Sequence, residues 1–138
     1  DGVDFYRFKD VVKIDHHPEI DKFSSYEIID IDASSASEMI ARWCYKCKLK
    51  MPKHAAQNIF MGIVADTNRF LFGANKTETY DTILNLVKKE HIKPNELYEL
   101  LYRRSMSEVR LEGFISLNMF ITKNGLGYVK INDSDLKK

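Results

Sequence analysis

Apolar and polar residues divide the chain into short extended segments and longer helical ones. The β-branched run over residues 11–14 predicts a parallel strand with both faces covered, and residues 26–32 predict a second strand. Apolar residues at helical spacing then predict five helices, over residues 35–49, from Pro52, over residues 78–89, from Pro94 and from Ser107. Alternation of this kind is typical of an α/β fold built on a parallel sheet.

The apolar positions also predict which helix faces point inward. These faces carry Met39, Ile40, Trp43, Cys44 and Cys47 in the first helix, and Tyr80, Ile83, Leu84 and Val87 in the third. We expect both cysteines to be reduced thiols in the core, because buried free cysteine behaves as a small apolar residue. We expect Thr77 to be the N-cap of the third helix, and residues 70–72 to be extended.

A different pattern begins near residue 105. The extended segments 119–122 and 128–131 flank Asn124-Gly125, and Asn-Gly in this position is a strong signal for a β-hairpin. Residues 133–138 have the pattern expected at the start of a further helix. The change from a parallel-sheet pattern to a hairpin predicts two domains, over residues 1–105 and 106–138.

Composition and charge exclude several classes of protein. A hydrophobic content of 44% and a charged content of 30% are ordinary for a soluble globular protein. The net charge of +1 gives no general reason for attraction to nucleic acid or to a membrane. No apolar run approaches the roughly 20 residues needed to cross a bilayer, and two reduced cysteines indicate a cytoplasmic protein. Because the sequence starts without methionine, we expect it to be a piece of a longer protein.

An acid and two imidazoles follow the first strand directly, in the sequence Asp15-His16-His17-Pro18. Pro18 cannot donate a ladder hydrogen bond, so the strand is expected to end before it. These side chains therefore lie at the carboxyl end of a strand, where open α/β sheets bind ligands. Imidazole and carboxylate are ordinary ligands for manganese, iron or zinc. The spacing alone is equally compatible with a metal or phosphate site and with a polar strand exit.

Two further groups of polar residues stand at helix ends. Ser34 and Ser35 lie at the start of the first helix, where Ser35 and Glu38 have capping-box spacing and where free N–H groups would also suit a phosphate. Asp66 lies near the end of the second helix, where a negative charge is unfavourable to the helix dipole. Asp66 is therefore either a turn residue or an acid with a compensating role.

Three motifs in this order resemble the DHH phosphoesterase family, most closely its branch of bacterial oligoribonucleases and 3′-phosphoadenosine-5′-phosphate (pAp) phosphatases. The motifs are Asp15-His16-His17, Ala-Ser-Ser-Ala-Ser-Glu at residues 33–38 and Gly-Ile-Val-Ala-Asp-Thr-Asn-Arg-Phe at residues 62–70. The resemblance reaches the end of the chain, where the hairpin resembles the start of the family's C-terminal substrate-binding domain. It implies an α/β chain comprising the C-terminal half of a parallel-sheet DHH domain, a helical linker and the first hairpin of a second α/β domain.

The resemblance also implies a manganese-dependent phosphoesterase that acts on short oligoribonucleotides or nucleoside bisphosphates. Two Mn²⁺ ions in such enzymes generate a hydroxide that attacks phosphorus in line. His16 and Asp66 would be ligands of one ion, His17 would face the substrate phosphate, and Asp15 would orient these groups. The residues expected on the substrate side are Ser34, Ser35 and Arg69. No membrane partner is implied, and formation of a homodimer stays open.

This sequence departs from the family pattern at two places. It lacks the strand that ends in His and two Asp, and it lacks the Asp that bridges both metals. We therefore expect the parent protein to be an enzyme and the isolated chain to be inactive. The alternative activities are those of a cyclic-dinucleotide phosphodiesterase and of a family II inorganic pyrophosphatase. An alternative of another class is a non-catalytic module that binds a nucleotide or a protein partner.

Overall fold

The computed structural model describes residue 4, residues 7–73 and residues 76–135. Its elements are β1 (Val12–Asp15), β2 (Tyr26–Ile29), α1 (Ala36–Lys46), α2 (Lys53–Asp66), α3 (Thr77–Lys89), α4 (Pro94–Leu101), α5 (Met106–Leu117), β3 (Phe120–Ile121) and β4 (Gly127–Tyr128). The contacts divide the chain into two compact units, with the division between Leu101 and Tyr102. None of the helices among these residues is long and apolar enough to cross a membrane.

The first unit contains a two-stranded parallel sheet, which agrees with the predicted α/β class. β1 and β2 pair in the register that places Val12 beside Tyr26 and Asp15 beside Ile29. The prediction that both faces of the first strand are covered is wrong for its start, because Val12 is 55% exposed. Tyr26, beside it at the start of β2, is 67% exposed. The parallel register brings the carboxyl ends of both strands to one edge, and His16 follows directly at that edge.

The core of the first unit is formed mainly by helices rather than by the sheet. Its buried apolar residues are Ala41, Met51, Ala56, Phe60, Ile63, Val64, Leu86, Ile92 and Leu97. α1 lies very close to α2 at Gly62, where a Cβ atom would stand 2.2 Å from the Ser37 hydroxyl oxygen. This close approach fixes α2, and with it the position of Asp66 at the end of that helix.

The inward face of α1 differs from the predicted one. Glu38, Met39 and Ala41 are buried, whereas Ile40 and Trp43 are exposed. Cys44 is half-buried and Cys47 is exposed at the C-cap, so the prediction that both cysteines lie in the core is wrong for Cys47. The reason is that the Glu38 side chain, which the hydrophobic pattern assigns to solvent, turns inward.

The inward face of α3 agrees with the predicted one only in part, because Ile83 and Val87 pack against the core as predicted but Tyr80 and Leu84 do not. Thr79, Thr82 and Leu86 are buried, whereas Tyr80 and Leu84 are exposed. The N-cap is Lys76 rather than the predicted Thr77. The hydroxyl of Thr79 donates a hydrogen bond of 2.7 Å to the Glu38 carboxylate. The buried contact between Glu38 and Thr79 therefore explains why polar side chains take inner positions in both α1 and α3.

The predicted extended segment at residues 70–72 is wrong. These residues form a turn directly after α2, in which Asn68, Arg69 and Phe70 have left-handed backbone conformations with φ of 44°, 64° and 66°. Short apolar runs do not distinguish a strand from a tight turn by periodicity alone, which explains the error.

The second unit consists of α5 and the predicted hairpin. α5 begins with a complete capping box of Ser105 and Glu108. In the hairpin, Gly125 donates to the carbonyl of Thr122 at 3.0 Å and has a φ of 80°, and Thr122 donates to the carbonyl of Leu126 at 2.9 Å. The loop is therefore a three-residue turn with a glycine bulge. Of the helix predicted over residues 133–138, residues 133–135 form a turn and the rest lie outside the described residues.

Candidate functional site

His16 and Asp66 lie side by side although 50 residues of sequence separate them. His16 follows β1, and Asp66 is the last residue of α2. The His16 Nε2 atom is 3.4 Å from the Asp66 Oδ2 atom, with the two side chains 17% and 48% exposed. The structure thus brings together the two residues that the sequence proposes as ligands of one metal ion.

The separation of these two donor atoms fits neighbouring ligands of one divalent cation. Two bonds of about 2.1 Å that meet at a tetrahedral or octahedral angle place their donor atoms roughly 3.0–3.5 Å apart. An imidazole nitrogen and a carboxylate oxygen also suit first-row divalent metals. Among the described residues, no group of three or more His, Cys, Asp or Glu side chains is arranged to hold a metal. The pair therefore offers two donor atoms and not a full coordination sphere.

Asp15 fixes the orientation of the His17 ring. The Asp15 Oδ1 atom accepts from the His17 backbone N–H at 3.1 Å and lies 2.9 Å from His17 Nδ1. The hydrogen bonds from His17 are the main cause that lowers the pKa of Asp15 to about 2, and the Lys13 ammonium contributes less. Because an ionised carboxylate only accepts, Nδ1 must carry the proton of this contact. The Nε2 atom of His17 is left for other partners, on a side chain that is 70% exposed.

Lys13 holds the other oxygen of Asp15. Its Nζ atom lies 3.7 Å from Asp15 Oδ2 and donates to the backbone carbonyl of Asp21 at 3.2 Å. It also stands 5.4 Å from the centre of the Phe23 ring. Sequence reasoning missed Lys13, although residues two apart on a strand share a face and the spacing to Asp15 is a usable signal.

Ser34 and Ser35 are buried and bound to Glu38. The Ser35 hydroxyl accepts from the Glu38 N–H at 3.0 Å, as an N-cap does. The Ser34 N–H and hydroxyl both donate to Glu38 Oε2, at 3.0 Å and 2.6 Å. Thr79 donates to the same oxygen. The two donors of Ser34 are thus occupied by a carboxylate of the chain itself, and the substrate role of both serines stays a prediction.

Arg69 lies three residues after Asp66 in the left-handed turn. Its guanidinium donates to the Asn68 side-chain oxygen at 3.3 Å, and its backbone N–H donates to the carbonyl of Val64 at 2.8 Å. The side chain is exposed. Its predicted contact with substrate stays a prediction.

Known proteins match the chain over most of its length. No protein-family model matches it. It is 36% identical over 131 residues to the bifunctional oligoribonuclease and PAP phosphatase NrnA of Bacillus subtilis (strain 168). This alignment covers 93% of this chain and 42% of that protein. It is 32% identical over 132 residues to the probable bifunctional oligoribonuclease and PAP phosphatase NrnA of Streptococcus mutans serotype c. This alignment covers 93% of this chain and 41% of that protein.

A solved structure is also similar to this chain. The crystal structure of an exopolyphosphatase-related protein from Bacteroides fragilis matches with a TM-score of 0.71 and 30% identity, over 82% of this chain and 34% of that chain. The chain spans about 40% of the length of the curated relatives it matches. The two sequence matches include Asp15-His16-His17 and Asp66, because each covers 93% of this chain. The chain is therefore a relative of the DHH phosphoesterases of the bacterial oligoribonuclease and PAP phosphatase branch, as its three motifs predict.

Proposed function

We propose that this chain forms part of the active site of a manganese-dependent phosphoesterase that hydrolyses short oligoribonucleotides, 3′-phosphoadenosine 5′-phosphate or both. The observation that carries the proposal is the 3.4 Å approach of His16 Nε2 to Asp66 Oδ2 at the carboxyl edge of the sheet. The name of the Bacillus subtilis relative supports this choice of substrates.

In the proposed enzyme, His16 and Asp66 hold one ion. A bound pair of divalent cations supplies Lewis acidity for phosphoester hydrolysis. Asp66 contributes negative charge as well as a donor atom, and His16 is fixed by its position directly after β1. The remaining ligands come from parts of the protein other than the described residues.

His17 contacts the substrate phosphate in this proposal. Asp15 holds the Nδ1–H of the ring, so Nε2 points away from Asp15 and is the ring nitrogen that would meet a phosphate. In its protonated form, Nε2–H donates a hydrogen bond to a phosphoryl oxygen or transfers its proton to the leaving oxygen. The Asp15 carboxylate, 2.9 Å from Nδ1, holds the ring in the orientation that this contact requires.

We also propose that the two units correspond to parts of two domains. The unit that ends at Leu101 is the latter part of a DHH domain with its helical linker, and the unit from Tyr102 begins the substrate-binding domain. The hairpin of β3 and β4 is the first hairpin of that second domain.

Metal binding by an active form of the protein that contains this chain tests the proposal directly. Mn²⁺ is paramagnetic, so its binding at this site broadens the NMR signals of the His16 ring. Asp66→Asn keeps the size of the side chain but removes its charge, and we expect it to weaken Mn²⁺ binding by roughly 10²-fold or more, beyond losses typical of residues that only support a ligand. Asp81→Asn, at an exposed acid of α3, is the matched control. Equal broadening in wild type and Asp66→Asn would contradict the proposal.

Phosphoanhydride hydrolysis is the second candidate function. The Bacteroides fragilis relative, which is described as an exopolyphosphatase-related protein, favours it. An active form of the protein that contains this chain should be assayed with Mn²⁺ on a labelled dinucleotide, on pAp and on inorganic polyphosphate. Preference for polyphosphate would replace the proposed substrates. Nucleotide binding without turnover of any of the three would instead indicate a non-catalytic module.

A further inference from the structure

The turn after Asp66 contains three successive non-glycine residues in the left-handed conformation. Asn68, Arg69 and Phe70 have φ values of 44°, 64° and 66°. Asparagine tolerates this conformation, whereas a residue such as Arg or Phe pays for the close approach of its Cβ to the backbone. Such conformations persist only where the surroundings impose them, and they cluster at functional sites.

Thr67 supplies the side-chain contacts within this turn, beside the backbone hydrogen bonds from Asn68 and Arg69 to the end of α2. Its hydroxyl donates to the carbonyl of Ile63 at 2.7 Å and accepts from the backbone N–H of Phe70 at 3.0 Å. Its backbone carbonyl accepts from the N–H of Phe72 at 3.0 Å. The side chain is 1% exposed, so water does not substitute for these contacts. Thr67 thus ties the last turn of α2 to the left-handed segment.

We propose that Thr67 is a positioning residue that sets the direction of the Asp66 carboxylate towards His16. This inference rests on the proposed metal site. Asp66 lies between the last turn of α2 and Thr67, and its backbone is therefore fixed on both sides. Without the hydroxyl, the N–H of Phe70 loses its acceptor and the strained segment relaxes. The end of α2 then frays in the variant, and Asp66 no longer stays 3.4 Å from His16.

Two substitutions separate the hydroxyl from the shape of the side chain. Thr67→Val keeps the shape and removes the hydroxyl, whereas Thr67→Ser keeps the hydroxyl. The first readout is metal-free: nuclear Overhauser contacts between the His16 ring and the Asp66 Hβ atoms. The second is the Mn²⁺ concentration that broadens the His16 ring signals. The matched control is Thr82→Val, which removes another buried threonine hydroxyl, in α3.

We expect Thr67→Val to lose the His16–Asp66 contacts and to need at least about 10-fold more Mn²⁺, a loss typical of groups that support a ligand. Thr67→Ser and Thr82→Val should retain both readouts. A double variant Thr67→Val/Arg69→Gly should recover part of the loss, because glycine adopts the left-handed conformation without strain. Rescue of this kind is not expected from a threonine that only adds stability.

The outcomes distinguish this inference from the proposed function. Absence of Mn²⁺ broadening in wild type would overturn the metal site, while the metal-free contacts would still decide the role of Thr67. Unchanged contacts in Thr67→Val would overturn that role, whatever the result for the metal. Should Thr67→Val fail to fold, amide hydrogen exchange of Phe70 in the wild type tests the role of Thr67 instead. An N–H that donates to the Thr67 hydroxyl is protected from exchange, so fast exchange of Phe70 would overturn the inference.

Discussion

The Glu38 carboxylate and the Thr79 hydroxyl are joined by a hydrogen bond of 2.7 Å across 41 residues of sequence. Glu38 is 1% exposed, and Arg42 lies 3.4 Å from its second oxygen. A buried carboxylate needs such partners, because burial of an unpaired charge is costly. Together with the hydrogen bonds from Ser34, this contact makes the Glu38 carboxylate a link between the loop after β2, α1 and α3.

Glu38→Gln should therefore destabilise the first unit without changing its fold. Hydrogen bonds to a charged acceptor are stronger than those to a neutral one, and we expect a loss of about 1–3 kcal/mol in the free energy of unfolding. Thr79→Val should cost about 1 kcal/mol, and the double variant should cost less than the sum because the two residues share a contact. Urea unfolding measures each value, with Glu99→Gln on the exposed face of α4 as control. Strict additivity would contradict the direct coupling.

The hydrogen bonds of Asp15 predict a pH dependence in the metal-free chain. The pKa of Asp15 is lowered from 3.8 to about 2, chiefly by the His17 side-chain and backbone hydrogen bonds. A lowered pKa in the folded state stabilises the protein above the unfolded-state pKa, and this stabilisation is lost as the pH falls from about 4 towards 2. An NMR titration of the Asp15 carboxyl group measures the pKa. In His17→Ala it should move towards 3.8, and an unchanged value would exclude the ring as the main cause.

His16 and His17 should fail in different ways when each is replaced. Successive residues at a strand exit point in different directions, so one ring reaches the metal while its neighbour faces the phosphate. His16→Ala should weaken Mn²⁺ binding, and added Mn²⁺ should restore part of the activity of an active form of the protein. His17→Ala should leave Mn²⁺ affinity nearly normal and lower kcat/KM without rescue by metal.

Mn²⁺ titrations of binding and of activity compare the two histidine variants directly. His54→Ala, at an exposed histidine of α2, is the matched control. Identical metal dependence in His16→Ala and His17→Ala would show that their proposed roles are wrong, and so would the reverse assignment.

Gly62 and Gly113 should respond in opposite ways to the same substitution. In Gly62→Ala the new Cβ meets the Ser37 side chain, so the Ser37 hydroxyl must rotate away and α1 must shift slightly, and we expect a loss of about 1–3 kcal/mol. In Gly113→Ala nothing lies within 4 Å of the new Cβ, and the higher helix propensity of alanine should add about 0.5–1 kcal/mol. Thermal unfolding measures both. Stabilisation by Gly62→Ala would contradict the close helix contact.

The sequence was informative where local chemistry decides the structure. The Pro18 strand end, the Ser35 helix start and the hairpin at Asn124-Gly125 follow from proline geometry, capping and glycine conformation, and the structure confirms each of them. The pairing of His16 with Asp66 came from the order of the motifs and not from spacing. Prediction of this pair therefore required the resemblance to a known family.

Hydrophobic periodicity failed where polar groups turn inward. The faces of α1 and α3 were assigned by their apolar residues, but Glu38 and Thr79 occupy the inner positions. The Glu38 carboxylate accepts from Ser34, 4 residues away, and from Thr79, 41 residues away, and this set of contacts leaves no periodic pattern in the sequence. Thr67 was missed for a related reason, because its role depends on a backbone conformation that residues 68–70 would not adopt by preference.

The parallel register of β1 and β2 limits how the length of this chain can change in evolution. Insertion of one residue inside β1 would turn each following side chain to the opposite face and move His16 by about 3.3 Å along the strand, away from Asp66. The same insertion between Pro18 and Lys22 would lengthen an exposed loop and leave the register intact. Between Val12 and Ile29, length variation among functional homologues should therefore be confined to that loop, and the spacing from Val12 to His17 should be invariant.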